Sequence, residues 1–224
     1  MKLGIVGLPN VGKSTLFNAL TKLTAEVANF PFTTINPNIG IVTVFDERLE
    51  KLGKVIPHKK LTYTTVEFVD IAGLVKGASK GEGLGNQFLS HIKEVDGIVQ
   101  VVRCFEDENI VHVSGNVDPI RDMEVVNTEL ILADIEYMER SLIKVQKIVK
   151  SGDKKAVVEK EMLTRIKDSL NKGIPVRSLD FSDVEREFLK EYFFLTIKPV
   201  LYVTNLSDKI TKNIDEFKKK VKEE

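Results

Sequence analysis

The chain has 224 residues, 42% hydrophobic and 29% charged, enough to bury a substantial core in one large domain or two modest ones. Lys plus Arg and Asp plus Glu both total 33, so net charge argues for neither a nucleic-acid nor a membrane partner, and any charged surface must arise from position. A single cysteine, Cys104, excludes an intramolecular disulfide framework and a cysteine-rich zinc site; with no run near the roughly 20 apolar residues of a membrane span and no signal-like start, the expected location is cytoplasmic.

The chain opens on an apolar strand, Lys2-Leu3-Gly4-Ile5-Val6. Directly after it comes Gly7-Leu8-Pro9-Asn10-Val11-Gly12-Lys13-Ser14, a G-x-x-x-x-G-K-S phosphate loop. Apolar residues at 16, 17 and 20 then mark one face of a helix. Glycines let the backbone amides turn inward around a polyphosphate, and the new helix directs its unpaired N–H groups and positive dipole end to the same oxygens. In this arrangement Asn10, Val11, Gly12, Lys13, Ser14 and Thr15 bind phosphates. Lys13 reaches the β- and γ-phosphates and Ser14 binds Mg²⁺.

Asn29-Phe30-Pro31-Phe32-Thr33-Thr34-Ile35 follows, a loop from which a threonine hydroxyl can complete a Mg²⁺ shell when a γ-phosphate is present; spacing does not say which threonine. The second strand, Ile39–Phe45, alternates as an edge strand does, whereas the third (63–69), fourth (98–102) and fifth (200–203) read as buried. The third ends in Asp70-Ile71-Ala72-Gly73, where the aspartate can hold Mg²⁺ through its water shell and Gly73 can offer an amide to the γ-phosphate. Five glycines from Gly73 to Gly85 then predict a segment that is mobile unless nucleotide orders it. Helical stretches between most strands predict a mostly parallel sheet, with ligands at the strands' C-terminal ends.

Between the fourth and fifth strands the spacing far exceeds that of a βαβ unit, so something is inserted. Ile131, Ile135, Met138, Leu142, Val145 and Val149 form a heptad seam on one long helix. Gly152-Asp153 interrupts it, and a second helix is predicted from Lys154 to Lys172 with Leu163, Ile166 and Leu170 facing back, giving an antiparallel hairpin. From Lys144 to Lys172 there are nine basic and four acidic residues, a surplus that fits either a solvated face or a contact with RNA phosphates.

The phosphate loop, Asn29–Thr34, Asp70-Ile71-Ala72-Gly73-Leu74-Val75 and Arg103-Cys104-Phe105-Glu106-Asp107-Glu108-Asn109-Ile110 together resemble the YchF family, the Obg-like ATPases among the translation-factor GTPases, across essentially the whole chain. The resemblance implies ATP hydrolysis, ribosome association, Mg²⁺ ligation at Ser14 and Thr34, and a small C-terminal TGS domain. It also implies a contribution of His112 to hydrolysis. Leu74 stands where Ras-like enzymes keep a water-orienting glutamine, so hydrolysis is slow or uses another group. Asn205-Leu206-Ser207-Asp208 replaces the guanine-reading Asn-Lys-x-Asp. The missing lysine favours adenine by resemblance, while Asp208, where the family generally has glutamate, keeps GTP open. No TGS domain is expected after the lysine-rich helix at 213–224.

The expected fold is therefore an α/β P-loop NTPase G-domain over residues 1–125 and 196–224, with a mostly parallel sheet flanked by helices. An inserted antiparallel helical hairpin over 126–195 interrupts it. The expected function is a Mg²⁺-dependent, ribosome-associated switch that hydrolyses ATP in preference to GTP. Its catalytic residues are Lys13, Gly73 and His112, its metal ligands Ser14, Thr34 and Asp70, and its base contacts Asn205, Leu206 and Asp208. A monomer without a membrane partner is expected. A GTP-specific switch and a nucleotide-gated RNA-binding module with negligible turnover are the alternatives.

Overall fold

The computed structural model describes residues 1–25, 38–71 and 84–207. Among them, five strands form one sheet in the order β2-β3-β1-β4-β5: β1 (Lys2–Val6), β2 (Ile39–Val44), β3 (Thr64–Asp70), β4 (Gly97–Arg103) and β5 (Val200–Asn205). Of these five, β2 alone runs antiparallel; β3, β1, β4 and β5 are mutually parallel. The helices α1 (Lys13–Ala25), α2 (Glu47–Val55) and α3 (Leu84–Lys93) connect the early strands.

Register brings the chemistry to one rim. Ile5 pairs with Asp70 across β1 and β3, and Arg103 pairs with Asn205 across β4 and β5, so both polar strand ends finish level with the turn after β1. β4 is buried along its whole length and anchors a core with Ile5, Val6, Phe17, Ile71, Ile92 and Val126. The edge assignment of β2 holds, but its faces do not follow the apolar pattern: Ile39 and Ile41 are exposed and Gly40 is buried. A Cβ at Gly40 would run into Thr21, so α1 presses on the strand where only glycine fits. Nor is β5 buried as predicted; among the described residues it is the opposite edge, and Leu201 is exposed. α2 is an addition to the predicted elements. Asp46 caps it by accepting from the Arg48 amide, and none of its residues is buried.

The insertion is a helical hairpin. Asp118 caps α4 (Pro119–Val149), with proline in its first turn, and Gly152 at φ 88° lets the chain reverse before Asp153 caps α5 (Lys154–Asn171). The predicted seam packs as read: Met138, Leu142 and Val145 meet Leu163, Ile166 and Leu170 in a second core. α4 belongs to both cores, because Val126 and Leu130 lie in the sheet's core and Met138 onward in the hairpin's. The expected boundary at residue 126 thus falls inside one continuous helix.

The return from the hairpin passes a short helix, α6 (Asp183–Leu189), which carries a Ser182/Glu185 capping box. It is then fastened to α4 at Asp134. That buried carboxylate accepts from the Leu195 amide at 2.7 Å, the Thr196 amide at 2.8 Å and the Thr196 hydroxyl at 2.6 Å. Burial pushes its pKa up while these donors oppose the shift.

Candidate nucleotide site

The turn after β1 has the backbone that its glycines predict. Gly7 and Gly12 lie at φ 149° and 100°, and Asn10, at φ 61°, is the one non-glycine with positive φ among the described residues. A Cβ on Gly7 would stand 2.5 Å from the Val101 carbonyl oxygen, and one on Gly12 would collide with the Asn205 amide. The loop is therefore pressed between β4 and β5 and tolerates no side chain at either place. Lys13 is buried at 8% exposure, and its ammonium donates to the Leu8 carbonyl at 2.8 Å. Burial holds its pKa below the usual lysine value, with Asp70 pulling the other way. Ser14 and Thr15 are exposed on the first turn of α1, whose unpaired amides form a ready anion site.

Ser14 and Asp70, 56 positions apart, meet directly: the Ser14 hydroxyl donates to the Asp70 carboxylate at 2.8 Å. A hydroxyl and a carboxylate beside an anion-binding helix start form a set of hard oxygen donors that fits Mg²⁺. Two further expected groups, Thr34 and Gly73, lie outside the described residues, as do Leu74, the glycine-rich stretch up to Gly83, Asp208 and the helix expected at 213–224.

On the far side of the phosphate loop, Asn205 turns inward, donating from its side-chain amide to the Val11 carbonyl at 2.9 Å. It borders a cavity of about 540 Å³ that Leu206 and Ser207 also line, together with Asn10, Gly12 and Thr15 of the phosphate loop. The opposite wall is Phe105, Asp107 and Ile110. The sequence does not assign these three to the site; the available signal is their place directly after a strand that is apolar apart from Gln100 and the terminal Arg103, at the rim where ligands bind. A larger cavity of about 780 Å³ lies on the hairpin beside Lys160, Arg165 and Lys172, and it contains none of the motif residues. Chemistry, not size, selects the smaller one.

His112, in the loop after β4, is buried and not solvated. Its side chain is 3% exposed, and Nε2 lies 2.7 Å from the Asp122 carboxylate on α4. The Ser114 amide donates to Nδ1 at 3.1 Å, so Nδ1 is the acceptor and Nε2 carries the proton toward Asp122. Arg121 donates to the other oxygen of the same carboxylate. Next to His112, the Val111 carbonyl accepts from the Asn10 side chain at 3.1 Å, which ties this loop to the phosphate loop.

Comparison with known proteins gives the family. The family model described as 50S ribosome-binding GTPase matches residues 2–134. The Bacillus subtilis (strain 168) protein named ribosome-binding ATPase YchF is 57% identical over 205 residues, covering 92% of this chain and 56% of its own length. Its namesake from Escherichia coli O157:H7 is 55% identical over 207 residues, covering 92% and 57%. The solved structure of the Schizosaccharomyces pombe YchF GTPase superposes with a TM-score of 0.81 at 40% identity, covering all of this chain and 62% of that one. The chain thus spans little more than half the length of the curated relatives it matches.

Proposed function

Because the chain belongs to the 50S ribosome-binding GTPase family, and within it to the YchF proteins, we propose that it is a Mg²⁺-dependent, ribosome-associated ATPase that acts as a nucleotide-controlled switch. The observation that carries this reading is the convergence of Lys13, Ser14 and Asp70 at one rim, beside a cavity large enough for a nucleoside. Adenine is favoured by Leu206 in the place of the guanine-type lysine and by the relatives named ATPases. Asp208 and the fission-yeast relative named a GTPase support GTP as the second substrate.

In this mechanism the amides from Gly12 to Thr15 and the Lys13 ammonium hold the β- and γ-phosphates in line. Ser14, Asp70 and Thr34 would hold Mg²⁺, and the Gly73 amide would contact the γ-phosphate. Mg²⁺ bound there would neutralise charge developing on the phosphates. Leu74 cannot orient water, so that task passes to His112, which must leave its pair with Asp122 to perform it. The closed pair favours a slow resting turnover. It also supports the alternative of a nucleotide-gated RNA-binding module, which single-turnover hydrolysis with and without ribosomes separates from an ATPase. We place the protein in the cytoplasm as a monomer.

The hairpin is the proposed ribosome contact. Of its basic residues, Arg165 pairs with Glu185 and Lys167 with Glu139, whereas Lys144, Lys147, Lys150, Lys154 and Lys155 are exposed near the hairpin's turn with no carboxylate in ion-pair reach among the described residues. Replacing Lys147, Lys150, Lys154 and Lys155 with glutamate is expected to weaken ribosome or RNA association. The slope of log affinity against log salt should become shallower by about 0.7 for each RNA phosphate that the variant no longer neutralises. ATP turnover of the isolated chain should stay within about twofold, because no nucleotide ligand lies on the hairpin. Normal association with altered turnover would make this charge a solvated face and the hairpin a regulator.

A further inference from the structure

Arg103 is among the most completely buried large side chains, at 1% exposure, and it ends the wholly buried strand β4. A buried cation ordinarily lies against a carboxylate. Here none stands within ion-pair reach among the described residues, and the guanidinium instead directs its donors to backbone. Nε donates to the Phe105 carbonyl at 3.0 Å, Nη1 to the Ile110 carbonyl at 3.0 Å and Nη2 to the Asp107 carbonyl at 3.4 Å. Its carbon also lies 4.6 Å from the centre of the Phe105 ring. The three residues whose carbonyls it gathers are the same three that form the far wall of the 540 Å³ cavity.

We propose that Arg103 is a positioning residue for nucleoside recognition, a buried planar fork that sets the Phe105, Asp107 and Ile110 wall against Asn205 and Leu206 so that the base has a preformed slot. The inference rests on taking this cavity as the base pocket. Two other ties hold the same loop, Asn10 to Val111 from the phosphate loop and Asp122 to His112 from α4, but neither touches residues 105–110. Among the described side chains, Arg103 alone gathers all three carbonyls of that wall. Phosphate contacts come from β1 and α1, so the role of Arg103 concerns the base half of the ligand alone. Lysine cannot replace it, because an ammonium on a flexible stem does not hold three carbonyls in one plane.

The test compares two ligands on the full chain with Mg²⁺: ATP, which has a base, and inorganic triphosphate, which has none. Arg103→Lys is expected to lose about tenfold or more in ATP affinity and less than twofold in triphosphate affinity. Phe105→Ala should show the same pattern, and the double variant should lose no more than the larger single effect, because both act through one wall. Thermal melting shows that each variant is folded. Should Arg103→Lys fail to fold, Phe105→Ala alone decides, and an unchanged ATP-to-triphosphate ratio overturns the proposal. Equal losses for both ligands in folded Arg103→Lys, or an unchanged ratio, also overturn it. If the wild-type chain binds triphosphate as tightly as ATP, the base-pocket reading itself fails, which is distinct from a wild type that prefers ATP and an Arg103→Lys variant that keeps the preference.

Discussion

Lys13→Ala is expected to leave the chain folded and to lower affinity for Mg²⁺-nucleotide by about 10²- to 10³-fold, with no measurable turnover. The stability half of this expectation follows from the native side chain. The ammonium is buried, its pKa is held down by that burial, and its hydrogen bond runs to the Leu8 carbonyl. Alanine gives up one hydrogen bond worth about 1 kcal/mol but also relieves a buried charge. The activity half follows from what replaces that bond when nucleotide binds. Charge-assisted hydrogen bonds to phosphate are worth about 1.5–3 kcal/mol each, and Lys13 is placed to make two. Calorimetric titration and a melting curve on the same preparation check both halves. A folded variant with normal turnover would remove the phosphate loop from the mechanism.

His112→Ala is expected to slow single-turnover hydrolysis by about 100-fold or more, the usual worth of a positioned proton-transfer group. Nucleotide affinity should change by less than about twofold, because the imidazole faces Asp122 and not the cavity. Removing it leaves Asp122 with Arg121 as its remaining side-chain partner among the described residues, so a loss of about 1–3 kcal/mol in stability accompanies the change. Asp122→Asn supplies the comparison, since it weakens the latch and keeps the imidazole. Under the proposed mechanism Asp122→Asn hydrolyses at least as fast as wild type, whereas His112→Ala does not. Equal rates in wild type and His112→Ala would assign water activation elsewhere.

The parts of this molecule that a reader of the sequence can find are those written in local pattern. The phosphate loop declares itself because positive φ at Gly7 and Gly12 is nearly reserved to glycine, and the hairpin because Met138, Leu142 and Val145 keep a heptad step. Asp70 and Asn205 are visible as polar ends to apolar strands, and register carries them to the loop. α2 escapes that reading although Asp46 before Glu47 and the spacing of Leu49, Leu52 and Val55 are available as signals. The exposed Ile39 and Ile41 defeat the apolar-inward rule because α1 lies too close to β2 for any side chain at Gly40. Side-chain contacts made within an irregular loop leave no periodic trace: nothing near Arg103 announces that its guanidinium turns back onto its own following loop, nor near His112 that its partner is Asp122. In each case the partner's identity depends on how β4, the loop after it and α4 pack together.

The rim of β1, β3 and β5 is the proposed adenine-nucleotide site for hydrolysis. Side-by-side titration of the chain with ATP and GTP at fixed Mg²⁺, followed by single-turnover hydrolysis of whichever binds, tests it most directly. ATP is expected to bind about tenfold tighter than GTP, and bound ATP to convert slowly to ADP. Tighter binding of GTP, or failure of either nucleotide to bind at millimolar concentration, would contradict it.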